Sequence, residues 1–584
     1  MALNWPSLTL SDEYAIRSQR DLTLNVSIDQ LVNLAINLNS VLLEPLNYTS
    51  DTLSNFATIV RRGATRVFLD IYWNSRTRIW QLCPFIPDNS SSGFNVTASD
   101  SNDNAIFVYD GKAYTCDTTI TFSKFLSDVL RNQWIDSTDD NLNAQTIVLT
   151  MNLRSAKAAA ILGIGHEGSD ASKVNQATTS IPNLQSGSAT STAASAVNTD
   201  IITEDDFDNL AVQIDNALRK YVYTPVMLNL DRSKALTWND TGASSQGWPL
   251  LENVLLKDFY RVLFSFGDIE VPRSEYDTNL DADYIFSNDD IPYSGTGVIS
   301  YTSKFSSSEL NAITSPVCTI SNGNDISITS TGAALKPSWL IASDTSANPF
   351  SAAAMLQYMK CGFSPVLNAT LGSSSDILQY VITALESSRW SWMAGQPTEQ
   401  PDSTPTNGAT PITGGSGDVQ RCAALTESGW AVENCYSKYK VACRVAKSPY
   451  NWTLSQKKVS YYDAIDACTG DTVLSLPRTA LQNTMLQILR QSDVGSDPVW
   501  IDMNSIERAN CWVSGGPGAT CIYNSAHRES IAVVVPTIAA VVVAVLLALT
   551  LCSKLLGWKQ VKARRKRRRI VKKFGEMEYD GVPS

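Results

Sequence analysis

Two histidines, His166 and His527, are all that this chain of 584 residues offers for proton transfer near neutral pH. The first lies in a stretch of small residues and the second just before a long apolar run, so nothing places them together. With no histidine pair and no Cys-x-x-Cys spacing, a zinc centre is not expected. Leu162-Gly-Ile-Gly-His-Glu-Gly168 has the glycines of a phosphate-cradling loop. It follows no strand and opens no helix, however, and its spacing does not suit a dinucleotide. Asp70 is the one carboxylate inside the apolar run Ala64–Trp73. Such a residue is either the remnant of a metal site or a structural carboxylate that is capped or paired, and the second is the commoner fate. The residues therefore predict a non-enzymatic protein without a cofactor.

The remaining reactive groups are thiols. Ten of the 11 cysteines precede residue 531 and only Cys552 follows it, an even outer set that suits an oxidising compartment. Sequence does not fix their connectivity; pairing by proximity gives Cys83–Cys116, Cys318–Cys361, Cys422–Cys435, Cys443–Cys468 and Cys511–Cys521. Closing a loop the size of 422–435 contributes about 3 kcal/mol in the chain-entropy account. Seven Asn-x-Ser/Thr acceptors, Asn25, Asn47, Asn89, Asn95, Asn239, Asn368 and Asn451, also precede residue 531.

Disulfides and glycans both require those residues to lie outside the cytosol, and the end of the chain supplies a reason. Ile531–Cys552 runs for 22 residues without a charge. At about 1.5 Å of rise per residue it spans roughly 33 Å, against about 30 Å of hydrocarbon. Pro536 falls in the first turns, where a membrane helix tolerates it. Behind the run, residues 553–584 hold 11 basic and 3 acidic side chains, a net +8 that leaves −19 on the rest. Basic flanks stay cytoplasmic, so the prediction is a single-pass type I membrane glycoprotein with its bulk luminal or extracellular, in a membrane left open. Lys562–Lys573 acts as a stop-transfer anchor and meets anionic lipid, each basic residue contributing about 1 kcal/mol near an acidic leaflet. An ectodomain this acidic repels nucleic acid, and direct nucleic-acid binding is not expected. Met1–Leu10 has neither a basic n-region nor an apolar h-region. Either the chain starts short of a leader or 531–552 itself directs insertion.

Ala64–Trp73, Ala105–Tyr109 and Thr146–Leu153 read as buried strands, and Thr119–Trp134 carries apolar residues at helical spacing. Helices are predicted over 204–221, 351–360 and 376–385, and strands near 261–266 and 339–342. This alternation predicts an α/β fold, a barrel or open sheet over 1–390. Residues 158–203 and 397–417, rich in Ser, Thr, Gly and either Ala or Pro, lack the apolar groups that offset ordering and are predicted as flexible segments. A cysteine-rich domain over 391–525 precedes the membrane span 531–552 and the basic cytoplasmic tail 553–584.

Gly63-Ala-Thr-Arg-Val-Phe-Leu-Asp70, with Phe107–Cys116 and Ile120–Leu126, resembles the phospholipase-C-like phosphodiesterase barrels over residues 20–390. That resemblance implies a TIM-type barrel whose chemistry runs on two histidines. Where the second belongs, this chain reads Asp110-Gly-Lys-Ala-Tyr114, so the barrel is expected to be degenerate and silent. Trp390–Pro397, Cys422, Trp430, Cys435 and Cys443 resemble the second half of a C-type lectin-like domain. Trp452, Tyr461–Cys468, Leu474–Pro477 and Val499–Asp502 resemble its first half, so the order is permuted or two part-modules pack together. Calcium is not expected: Gln396-Pro397-Thr398 and Trp430-Ala-Val432 lack the oxygen ligands, of which the ion takes about six to eight.

Together with Asp70–Trp73, Trp80–Cys83, Pro477–Leu481, Trp500–Asn504 and Cys511–Gly516 ahead of one membrane helix, these features make the chain resemble the fungal maintenance of telomere capping protein 6 family over nearly its whole length. The resemblance implies type I membrane glycoproteins connected with telomere capping, with no biochemical activity assigned. Because the acidic part does not face chromatin, the telomere role so implied is indirect or carried by the tail. Two further readings stay open: a receptor for a protein, glycan or lipid headgroup, and a cryptic phosphodiesterase that depends on Asp70.

Overall fold

The computed structural model describes residues 2–88, 103–166, 208–239, 242–293, 298–300, 317–320, 324–327, 338–399, 419–446, 448–523, 543–548, 550 and 561–573. The chain divides into two compact units, Met1–Cys521 and Ile522–Ser584. In the first, the strands begin with β1 (Leu34–Asn37), β2 (Ala64–Asn74), β3 (Ile79–Gln81), β4 (Phe85–Pro87), β5 (Asp103–Tyr109) and β6 (Lys112–Cys116). They continue with β7 (Ile147–Ser155), β8 (Lys157–His166), β9 (Val262–Ile269), β10 (Val298–Ser300), β11 (Ile341–Ser343) and β12 (Ser364–Leu367).

A partial TIM barrel follows from their pairing. The order is β9-β7-β2-β1-β12-β11-β10, every neighbour parallel, with β3 folded back antiparallel on β2. On the far edge of β9 a single residue, Phe286, donates its N–H to the Phe264 carbonyl (2.9 Å) and accepts from the Phe266 N–H (3.0 Å). Read in chain order, β1, β2, β7, β9, Phe286, β10, β11 and β12 follow one another around the wall, and β12 returns to β1 (Ala35↔Val366, Ile36↔Leu367). Among the described residues nothing pairs Phe286 with β10, and the wall is open there.

The α/β reading over 1–390 thus becomes a partial barrel, with two corrections. The run predicted as a strand at Ala105–Tyr109 is a strand, but it belongs to a separate sheet of order β4-β8-β5-β6 beside the barrel. Residues 158–166, predicted as part of a flexible segment, form most of β8. Their Ala-Ala-Ala-Ile-Leu run is small and apolar enough to pair antiparallel with β5; the rest of that segment, 167–203, lies outside the described residues. Cys83 and Cys116 (Cα–Cα 5.8 Å) are bonded and join the end of β6 to the turn before β4. The helix read over 119–134 starts at Phe122 and widens to i→i+5 winding over Phe125–Ile135, still burying Phe125, Leu126, Val129, Leu130 and Trp134.

Seven helices matter below: α1 (Leu10–Leu22), α2 (Asn55–Arg61), α3 (Leu210–Leu218), α4 (Pro225–Ser233), α5 (Ala352–Lys360), α6 (Ser374–Ser387) and α7 (Ala480–Val494). α1 opens on a capping box in which the Thr9 hydroxyl and the Asp12 carboxylate each accept from the other's backbone N–H. After residue 390 come β13 (Gln420–Thr426), β14 (Gly429–Asn434), β15 (Lys440–Val445), β16 (Trp452–Leu454), β17 (Thr472–Leu474) and β18 (Val499–Asn504). Their order is β14-β13-β18-β15-β16, with β17 also on β15. Bonds Cys422–Cys435, Cys443–Cys468 and Cys511–Cys521 fasten this sheet. Cys361, buried just after α5, is disulfide-bonded, and the side chain of its expected partner Cys318 lies outside the described residues.

The border expected at residue 390 separates two sheets but not two compact units. Trp430 is fully buried, meets Trp390 and Trp392 edge-on at 5.9 and 5.8 Å, and donates its indole N–H to Asn483 Oδ1 (3.0 Å) on α7. Trp392 in turn donates to Ser18 Oγ on α1 (2.8 Å), so aromatic area and indole donors are satisfied in one cluster. In the second unit, residues 543–548 and 561–573 are helical. Among the described residues no helix is long and apolar enough to cross a membrane; the predicted span 531–552 lies outside them apart from 543–548 and 550.

One buried carboxyl yields a test of this packing. Asp281, with no exposed surface, accepts from the Ala211 N–H at the start of α3 (2.9 Å) and from the Tyr276 hydroxyl (2.8 Å). Burial outweighs both bonds and raises it to about 6. A raised carboxyl stabilises the fold below its unfolded value and loses that contribution as pH rises through the folded one. Denaturant unfolding at pH 4 and pH 7 is expected to show wild type losing on the order of 2 kcal/mol relative to Asp281→Asn over that interval. An unchanging gap between the two proteins rules the account out.

Candidate functional site

Barrel enzymes work at the C-terminal ends of their strands, so the residues facing inward there are the ones to follow. Inward positions recur every second residue, and β2 presents Arg66, Phe68, Asp70 and Tyr72 in turn. At the base, the wholly buried Arg66 guanidinium donates to the carbonyls of Trp339 (3.0 Å) and Pro292 (3.1 Å). Burial without a carboxylate partner lowers it to about 9. Above it Phe68 packs with Ala35, Ile341 and Val366 and meets the ring of Tyr293 at 5.5 Å. Across the wall the hydroxyls of Thr150 and Ser265 bond at 2.8 Å. The barrel is therefore filled, not hollow.

Asp70 sits at the top of this stack and its oxygens are taken. Asn152, directly opposite on β7, donates to Oδ1 (2.6 Å), and Arg154 approaches Oδ2 with Nε at 3.7 Å. The Asp70 N–H donates to Asn39 Oδ1 (2.8 Å). Arg154 reaches onward to Asp268 (3.4 Å) and Glu270. Burial raises Asp70, a shift that the Asn152 bond and Arg154 reduce without cancelling. Burial lowers Arg154, but Asp70, Glu270 and Asp268 together outweigh it and hold it above the ordinary arginine value. Gly267 makes this packing feasible. A Cβ there would stand 2.1 Å from Asn152 Oδ1, the atom that accepts the Asp268 N–H at 3.0 Å. Chemically, the arrangement is one half-buried carboxylate fixed by an amide and neutralised by a shared guanidinium.

Of these residues the sequence singled out only Asp70. Arg154 and Asn152 had a legible signal, since polar side chains at 150, 152 and 154 alternate with apolar ones along β7. Asn39, Asp268 and Glu270 had none, because only the fold brings them to Asp70. His166 ends β8 in the side sheet rather than on a barrel strand, and Asp110 forms the tip of the β5–β6 hairpin in the left-handed region (φ 48°) with Gly111 (φ 73°). His527 lies outside the described residues.

The predicted glycosylation sites scatter. Asn25 and Asn451 are exposed. Asn47 accepts from the Thr115 N–H (3.1 Å), and Asn368, half-buried beside the barrel mouth, accepts from Asn37 (2.9 Å) and Ser40 (3.0 Å). Asn89, Asn95 and the side chain of Asn239 lie outside the described residues. Beside the second sheet Gln396 Oε1 accepts from the backbone N–H groups of Thr398 and Val432, both at 3.2 Å, and Trp430 is core. Among the described residues no three His, Cys, Asp or Glu side chains converge as a metal site needs.

A family model described as the MTC6 partial TIM-barrel domain matches residues 6–388. Curated relatives bearing the name maintenance of telomere capping protein 6 align along the entire chain. The Candida tropicalis protein is 28% identical over 100% of this chain and 96% of its own length. The Yarrowia lipolytica protein is 28% identical over 99% and 92%, and the Candida albicans protein 28% over 100% and 96%. No solved structure matches.

The Arg154 network generates a pH-dependent prediction. Arg154→Met leaves Asp70, Asp268 and Glu270 without their shared cation, and the half-buried Asp70, already raised by burial, rises further. The stability lost as pH climbs through its raised value then grows. The variant is expected to lose about 1–3 kcal/mol at pH 7, discounted because Asp268 and Glu270 are exposed, and clearly less at pH 4. Unfolding curves at the two pH values decide it; an equal loss at both contradicts the network.

Proposed function

The chain belongs to the maintenance of telomere capping protein 6 family, and from that premise we propose that it is a non-enzymatic single-pass type I membrane glycoprotein that serves telomere capping indirectly. Its bulk is luminal or extracellular, residues 531–552 span the bilayer, and 553–584 face the cytosol. The barrel is a degenerate relative of the phospholipase-C-like phosphodiesterases, and the disulfide-rich sheet is a permuted C-type lectin-like module offered to a protein or glycan ligand. The basic helix over 561–573 rests on anionic lipid beneath the membrane.

The observation that carries the non-enzymatic reading is the state of Asp70. A general base or metal ligand needs a lone pair directed at substrate or ion, whereas both Asp70 oxygens face Asn152 or Arg154. The position of His166 on the side sheet supports the same reading. A cryptic phosphodiesterase is the competing account and makes the opposite prediction. Purified full-length protein is expected to leave phosphoinositide and glycerophosphodiester substrates uncleaved, with Asp70→Asn indistinguishable from wild type. Turnover abolished by Asp70→Asn overturns the proposal. The topology has its own test. N-glycosidase is expected to lower the apparent mass, and protease added outside sealed microsomes to remove only the tail. Unshifted mass or digestion of the bulk argues for the opposite orientation.

A further inference from the structure

A cleft of 540 Å³ opens where α5, α6 and α7 meet the segment 390–396. That volume lies within the roughly 300–1,000 Å³ usual for small-molecule sites. It shares no residue with the barrel mouth, so its fate is independent of the reading of Asp70. Leu356, Trp390, Trp392, Met393, Met485 and Ile488 supply apolar lining.

The charged groups in the cleft are unequal. Arg389 is paired with Asp12, although its buried Nε has no hydrogen-bond partner. Arg490 is fixed by the carbonyls of Gly495 (2.7 Å) and Asp497 (3.2 Å) and faced by Glu427. Glu386 is exposed and acts on Arg62. Lys360 is different. It lines the cleft from the last turn of α5, is half-buried, and burial, with no carboxylate among the described residues to offset it, holds its ammonium below the ordinary lysine value. A cation kept in a cavity without a counter-ion costs desolvation that an incoming anion recovers, and the apolar walls then hold whatever carries the anion.

We propose that this cleft binds a small organic anion, a carboxylate, sulfonate or phosphate on a planar apolar body, with Lys360 holding the anionic group and the tryptophan-lined wall the body. Anilinonaphthalene sulfonate is the probe, titrated by fluorescence into the full-length protein. Saturable binding is expected, weakened at least about tenfold by Lys360→Met and by less than about threefold by Lys360→Arg, since charge is what the site needs. The neutral analogue phenylnaphthylamine is expected to bind at least about tenfold more weakly than the sulfonate and to be indifferent to Lys360→Met. Should Lys360→Met fail to fold, acetylation of Lys360 in wild type, followed by peptide mass mapping, gives the same answer: the probe is expected to protect that residue. Absent saturable binding, equal affinity of Lys360→Met, equal affinity of the neutral analogue, or unprotected Lys360 each overturns the proposal.

Discussion

The pairing of β12 with β1 is the contact on which the rest of the molecule depends. It joins Ala35 to Val366 across more than three hundred residues, and loop closure on that scale is entropically costly before any packing rewards it. Once made, it fixes where the chain leaves the barrel. α6 follows β12 and ends at Ser387, which brings Ser391 and Trp392 against Gln19 and Ser18 of α1. The second sheet is therefore anchored through residues at both ends of the barrel sequence. Arg478 donates to the Leu22 carbonyl (3.3 Å), adding a further tie. The wall pairs strand to strand at this seam, where the second sheet docks, whereas among the described residues no pairing joins Phe286 to β10.

Inside the wall, the two cations of the stack are handled differently. Arg66 relies on carbonyl dipoles and on the rings of Phe68 and Trp339, each 5.7 Å away, while Arg154 relies on formal charge. The first arrangement belongs in a sealed interior, the second at a wet rim. This gradient from dipole to ion pair runs up the described interior of the barrel, from Arg66 at the base to Arg154 beside Asp70.

How much of this was legible depended on whether an element's partners were written in its own residues. β2 and β7 are legible because both are buried over most of their length and rich in large apolar residues, interrupted only by single polar positions. The β5–β6 hairpin was visible as strands, but periodicity carries no information about which sheet a strand joins. Phe286 occupies a barrel position with one residue, too short for any pattern. α7 went unread although Thr479 caps it and Ala480, Leu481, Met485 and Leu486 follow at helical spacing. Its Gln482 and Asn483 are polar yet buried, because Asn483 serves the Trp430 indole, and that breaks the expected alternation of faces. At the site, Asp70 stood out as a charge in an apolar run, while Asn39 and Glu270 acquire meaning only from three-dimensional neighbours.

The contact between Gly267 and Asn152 reaches beyond the two residues that make it. A side chain at 267 would force the Asn152 amide to turn aside, so the two positions are coupled. Displacing that amide in turn surrenders the donor that holds Asp70. A change on β9 is thereby transmitted through β7 to the carboxylate on β2, and the three strands share one steric allowance.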